Sequence, residues 1–358
     1  MSQNLLLPSD IPIGIPLPWS IADSHGRLLL HKGYVIARQI TVNSLFANCS
    51  CQIMPEEEGE SVGLPDEPAQ PARFPLDELV ELSQALKSCM DAPESYGDFT
   101  ATVLSLAGDL QRVVAVDRDL ALATVFLPLS IEKRFKKILD IAIVSDTVAT
   151  TMRMTATSRR TLTAALLTLG LQVDSPEVFA AQRLRQLGVT DSDWLNTVMQ
   201  YHELKQDSQQ PAGLSMEHLI LESRLVQLAD SYTQSLSPVN NNASMASYQL
   251  MRDIFRESGK RRDPVLGGYF IKALGSYPTG SQVKLCNGET GVVIRRTDNI
   301  NCPIVMSLAN GHKQSFRIPI KRDTNNPVHR IATTLDSRDQ CQLDPYLLWG
   351  YLPFKPHG

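Results

Sequence analysis

The stretch from Ile131 to Met154 places the strongest constraint on the fold. Apolar side chains stand at Phe135, Ile138, Leu139, Ala142, Ile143, Val148 and Met152, close to a 3.6-residue period with extra apolar positions beside it. A helix that is apolar on more than one side needs other helices around it. The flanking sequence offers them. Ser175-Pro176-Glu177 combines an N-cap, a proline at the first helical position and an acid in the first turn, and Gly188 stops that helix. Asp263-Pro264 opens another helix that Gly275 closes. The spacing predicts an all-α core, with the helical domain at residues 73–275.

Both flanks of that domain read differently. In "WSIADSHGRLLLHKGYVI" two apolar stretches surround Asp23-Ser24-His25-Gly26, which predicts a β-hairpin within a β-rich segment at residues 1–54. Residues 55–72, "PEEEGESVGLPDEPAQPA", carry Glu56, Glu57, Glu58, Glu60, Asp66 and Glu67 with no base, a composition unable to bury a core and expected to be an exposed linker. After Tyr277-Pro278 come "SQVKL", "GVVIRR", "PIVMSLA" and "SFRIPI", with Asn287-Gly288 and Asn310-Gly311 as turn signals. Residues 276–358 are therefore expected to form a small antiparallel β appendage and tail, making the whole chain mainly α.

Composition narrows the classes of function. A formal charge of -4 and a pI near 6.0 leave no global basic field, so nucleic acid is not expected as a partner. The N-terminal "MSQNLLLPSDIPIGIPLPW" lacks a basic n-region and is broken by prolines, and no run reaches the ~18 apolar residues of a membrane span. A cytoplasmic protein without membrane contact is the expectation. Cys49, Cys51, Cys89, Cys286, Cys302 and Cys341 are too sparse for a disulfide framework, and Cys49-x-Cys51 is one residue short of the zinc and redox spacing. There is no Gly-rich phosphate loop, no Gly-x-Ser-x-Gly elbow and no His-Glu-x-x-His.

The segment Tyr201-His202-Glu203-Leu204-Lys205-Gln206-Asp207-Ser208-Gln209-Gln210-Pro211 has the length and end of a known signature, His-His-Glu, two residues, Asp-Gly, one residue, Gly-Tyr-Pro. It resembles the HD-GYP domain, the helical cyclic di-GMP phosphodiesterases of bacteria. "SRLVQLADSYTQSLS", from Ser223, is similar to the helix that carries a metal-binding Asp in that family, with Asp230 at the position. "ALGSYPTGSQVKLCNGETGVVIRR", from Ala273, looks like the β-rich tail that follows the domain, and "IGIPLPWSIADSHGRLLLHKGYVI", from Ile13, resembles its N-terminal segment. The resemblance thus covers most of the chain and implies an HD-GYP-like helical bundle.

What it implies about catalysis is negative. The family's His-Asp pair falls in "TAALLTLGLQ", where Thr168 and Leu169 occupy the two positions and Gln172 replaces a Lys. The first His of the signature is Tyr201, and a metal-binding His of the central helix falls near Lys136 or Lys137. Vestigial metal-site positions are then His202, Glu203 and Asp230. Clusters of iron that activate a water need several imidazoles and carboxylates from facing helices. No metal, no cofactor and no catalytic residue is expected here, and a lysine at the vacancy would oppose a cation by a few kcal/mol at ~4 Å for an effective dielectric of about 20. Gln209-Gln210-Pro211 also lacks the Gly and the aromatic ring of the family's loop.

Blander readings stand beside these. His202 fits a hydrogen-bonded helix-end histidine, and Glu222, Val226 and Asp230 fit a half-exposed helix face. Arg295 and Asp298 form an Arg-x-x-Asp pattern suited to cyclic di-GMP, or else an exposed charged turn; Lys260-Arg261-Arg262 and Lys321-Arg322 read as solvated faces. The expectation is a catalytically inactive signalling scaffold acting by protein–protein interaction. The resemblance implies partners among signalling proteins such as GGDEF-type diguanylate cyclases, and a homodimer. The rivals are a divergent, weak cyclic di-GMP phosphodiesterase and a cyclic di-GMP receptor without hydrolysis.

Overall fold

The structure is a computed structural model that describes residues 6–12, 17–19, 21–23, 28–30, 51–53, 74–171, 178–207, 219–236, 264–335 and 343–349. Expectations for the linker at 55–72, the cap at Ser175-Pro176-Glu177, Gln172, Gln209-Gln210-Pro211 and Lys260-Arg261-Arg262 lie outside the described residues. The chain divides into two compact units, Met1–Ala72 and Arg73–Gly358.

In the first unit, β1 (Ile21–Asp23) pairs antiparallel with β2 (Leu28–Leu30), as the turn cluster between them requires. On its other side β1 pairs with β3 (Cys51–Ile53), so the hairpin is part of a three-stranded sheet of order β2-β1-β3.

The second unit is mainly helical. Its helices are α1 (Pro75–Asp91), α2 (Phe99–Val116), α3 (Arg118–Ala123), α4 (Lys133–Thr151), α5 (Ala156–Thr168), α6 (Val178–Gln186), α7 (Ser192–Asp207), α8 (Leu221–Leu236), α9 (Pro264–Leu274) and α10 (Pro345–Trp349). The predicted central helix is α4, whose residues from Ile138 to Ala149 are buried without interruption. It is enclosed because α5 and α8 pack on it directly, and α7 packs on both of them, closing a ring of helices; α9 adds a further neighbour. Gly188 and Gly275 end their helices at φ of 90° and 78°, a left-handed conformation that glycine adopts at least cost. Helix α2 has the length and mean hydropathy to cross a bilayer, but Val103, Ala107, Leu110, Val113 and Val114 are buried in the helical core.

The expected β-rich pieces are all present, as β4 (Gln282–Leu285), β5 (Thr290–Arg295), β6 (Ile304–Ala309) and β7 (Ser315–Asp323). A further strand, β8 (Ile331–Thr334), completes an antiparallel sheet of order β7-β6-β5-β4-β8. The alternation along β5 divides its side chains between two cores. Val293 joins Val283, Leu285, Val305 and Ile331, whereas Val292 and Ile294 belong to the helical core. The boundary expected near residue 275 is therefore a change of secondary structure within one compact unit. At the far end, α10 returns to α1: Tyr346 stacks on Phe74 with ring centroids 4.3 Å apart, and its hydroxyl donates to Asp77 at 2.7 Å.

Candidate functional site

Asp230 lies on the buried face of α8, between Ala229 and the turn that carries Tyr232 and Thr233. Leu225, Val226, Leu228 and Ala229 fix that face in the core, and they carry the carboxylate inward with them. This corrects the half-exposed stripe, since Val226 is fully buried and the Asp230 side chain is 5% exposed. A carboxylate so far from water needs donors. It finds them on three helices. Gln234, one turn further along α8, donates Nε2 to Oδ1 at 2.6 Å, and Tyr201 of α7 donates its hydroxyl to Oδ2 at 3.3 Å. Lys137 of α4 brings Nζ to 3.2 Å from Oδ1, and Lys205 of α7 forms an ion pair with Oδ2.

Two ammonium groups thus face one carboxylate at the position the family resemblance gave to a metal. Tyr201 and Lys205 are four residues apart and so share a face of α7, with the ammonium 5.5 Å from the phenol ring. Burial by itself pushes the Asp230 carboxyl up; the hydrogen bonds from Lys205 and Gln234 and the charges of Lys137 and Lys205 together outweigh it, so the net shift is down. Tyr201 is pushed up by burial and then by the Asp230 charge, so its phenol stays protonated and donates.

Sequence left Lys136 and Lys137 equivalent, and the helix separates them. Lys136 turns to the other side of α4, with Nζ 2.6 Å from both Asp140 Oδ2 and the Thr124 carbonyl. Asp140 is itself buried, and this raises its carboxyl against the lowering effect of Lys136 and Thr124.

Thr168 and Leu169, the positions at which the resemblance implied a His-Asp pair, are both engaged in packing. The Thr168 hydroxyl donates to the Ala165 carbonyl at 2.7 Å and accepts from Trp194 Nε1 at 3.0 Å, with both side chains buried. Leu169 caps α5 and packs against the hydrophobic core. His202 lies within α7, not at its end, and meets Tyr201 edge-on with ring centroids 5.7 Å apart. Burial lowers its pKa, which keeps the imidazole neutral. Glu203 is half-buried on the same helix, and the described contacts do not tie it to Asp230.

Arg295 and Asp298 are not brought together as a ligand pair. Arg295 makes a bidentate pair with Asp117, the N-cap of α3, with Nη2 2.6 Å from Oδ2. Arg296 pairs with Asp119 and donates to the Ala273 carbonyl. The exposed-turn reading is thereby corrected for both arginines, which join the sheet to the helices; Asp298 itself is exposed. A cleft of about 430 Å³ lies beside them, lined by Asp119, Lys272, Tyr277, Arg296, Asp298 and Asn299. Arg322, also read as solvated, is half-buried and pairs with Glu289 at 2.7 Å, while Lys321 is exposed as expected.

A phosphodiesterase metal cluster does not fit the residues around Asp230. Among the described residues no three His, Cys, Asp or Glu side chains converge as a ligand set. The groups that do converge on Asp230 are an amide, a phenol and two ammoniums, which are donors with no lone pair facing the carboxylate. Sequence reasoning located Asp230 and Tyr201 but missed Lys205 and Gln234, although the four-residue spacings from Tyr201 and Asp230 were there to be read. Comparison with family models, with curated proteins and with solved structures gives no match.

Proposed function

We propose that the chain is a catalytically inactive, HD-GYP-like signalling scaffold of bacterial cyclic di-GMP-linked regulation, acting through protein–protein contacts. The observation that carries this reading is the occupation of Asp230 by Lys137 and Lys205. A divalent cation at the carboxylate would have to displace both ammoniums or lie beside them, and repulsion at such distances costs several kcal/mol even at an effective dielectric of about 20. The Thr168–Trp194 hydrogen bond supports it independently, because it turns the lost His position into a packing contact. The helical core and attached sheet are retained while the hydrolytic chemistry is gone, which is the pattern of a domain kept for its surfaces. Partners are then other signalling proteins, GGDEF-type diguanylate cyclases among them.

The test is turnover. Purified protein supplied with manganese or ferrous iron is incubated with cyclic di-GMP, and the nucleotide is separated chromatographically. Intact substrate is the expected result, with capture of a diguanylate cyclase from bacterial cells as the positive counterpart; linear dinucleotide formed in proportion to protein contradicts the proposal.

A further inference from the structure

We propose that the cleft between the C-terminal end of α9 and the β5–β6 loop binds a free amino acid with an apolar side chain. The site shares no residue with the Asp230 cluster, so it stands whether or not a metal reaches that carboxylate. Its walls are fixed by hydrogen bonds. Helix α9 ends at Gly275 in the left-handed conformation, and the next amide, Ser276, donates to the Ile300 carbonyl at 3.0 Å, while the Ser276 hydroxyl donates to Asn301 Oδ1 at 2.6 Å. The loop also holds itself. The Thr297 hydroxyl donates to the Cys302 carbonyl at 2.8 Å and the Asn301 amide to Asn299 Oδ1 at 3.1 Å. A ligand entering this cleft of about 430 Å³ therefore meets formed walls, and little ordering of the protein is charged against its binding.

Charge decides what would enter. Among the described residues, two cations and two anions line the cleft, Lys272 and Arg296 against Asp119 and Asp298. Arg296 gives Nε to Asp119 and Nη1 to the Ala273 carbonyl, which leaves Nη2 without a partner among the described residues on a side chain 22% exposed. Lys272 and Asp298 are exposed, and neither forms a hydrogen bond or ion pair with any described residue, nor with the other. Opposite charges that line one cleft without meeting are satisfied together by a ligand that carries both signs. A carboxylate suits Lys272 and the open edge of the Arg296 guanidinium, and an ammonium suits Asp298. The C-terminal end of α9, which lines the same cleft at Gly275, favours the ammonium as well. A simple anion would be opposed by Asp119 and Asp298, and a simple cation by Lys272 and Arg296. Tyr277, Ile300 and Pro303 complete the lining with apolar surface, against which the ligand's own side chain would pack.

Calorimetric titration of the full chain with L-leucine and L-phenylalanine tests the proposal. Two fragments of leucine accompany them: 4-methylpentanoate, which lacks the amino group, and 3-methylbutylamine, which lacks the carboxylate. The expected result is a Kd below about 1 mM for at least one amino acid, with both fragments at least about tenfold weaker. Lys272→Gln and Asp298→Asn should each weaken amino-acid binding roughly two- to fivefold, the range of an exposed ion pair. Neither residue has a described partner to lose, so both variants should keep the parent's unfolding temperature, and the change reads binding alone. A Kd above about 1 mM for both amino acids overturns the proposal. Binding that either substitution leaves unchanged overturns it too, by placing the ligand elsewhere. A fragment that binds as tightly as leucine overturns the two-signed ligand and makes the cleft a site for a simple anion or cation.

Discussion

Lys137 Nζ lies 3.2 Å from Asp230 Oδ1, an ammonium on one helix of the ring facing a carboxylate on the next. The carboxylate is buried and the lysine half-exposed, so the pair is asymmetric: Asp230 depends on its partners far more than they depend on it. Removing both countercharges in Lys137→Ala/Lys205→Ala leaves an uncompensated buried charge. The expected cost is about 3 kcal/mol in urea denaturation, and a loss under about 1 kcal/mol would show that Gln234 and Tyr201 suffice.

The pH dependence has a definite sign. The Asp230 pKa is lowered in the folded state, so its contribution to stability is fully present above the unfolded value of about 3.9 and is lost as pH falls through the folded value. Asp230→Asn should therefore flatten the acid limb of the stability curve below about pH 4 and leave the slope between pH 5 and pH 8 unchanged. An unchanged acid limb in that variant would contradict the assignment.

His202 acts in the same direction at higher pH. Its folded pKa is lowered by burial, so the neutral imidazole favours the fold above about pH 6.5, and that contribution fades as pH falls below it. His202→Gln should remove a shallow slope between about pH 5 and pH 6.5, measured by thermal unfolding across that range. Retention of the slope would place its origin in another group.

Thr168→Val removes the acceptor for the buried Trp194 Nε1 while nearly preserving volume. A loss of about 1–3 kcal/mol is expected, together with a shift in tryptophan emission. No change in either would mean that the indole finds another acceptor.

Arg295→Ala breaks the bidentate pair with Asp117, a residue that also caps α3 by accepting from the Leu120 amide at 3.0 Å. The expected cost is about 3 kcal/mol, because a buried carboxylate loses its cation. Stability equal to the parent would return Arg295 to the candidates for ligand binding.

Much of the architecture could be read in advance because it follows from local chemistry. The apolar excess on Ile131–Met154 required a surrounded helix, and Gly188 and Gly275 ended helices where glycine is the least strained residue. Asn287-Gly288 turned the chain between β4 and β5. The strands β3 and β8 escaped notice because each is short and gains its pairing only from distant chain. The same limit applied at the site. Asp230 could be picked out by the resemblance of its helix, and Lys137 only as one of two adjacent lysines near the same vacancy, whereas nothing marked Lys205 until three helices brought these groups to one carboxylate. Arg295 and Arg322 misled for the complementary reason, since their acids, Asp117 and Glu289, lie 178 and 33 residues away.

The most direct test is elemental analysis of protein purified without chelator, combined with a manganese titration followed by electron paramagnetic resonance of the free ion. With ammoniums on Asp230, metal content far below one ion per chain is expected, and manganese should remain free in the presence of protein. Stoichiometric iron or manganese, lost on Asp230→Asn, would contradict the occupation of that carboxylate by Lys137 and Lys205.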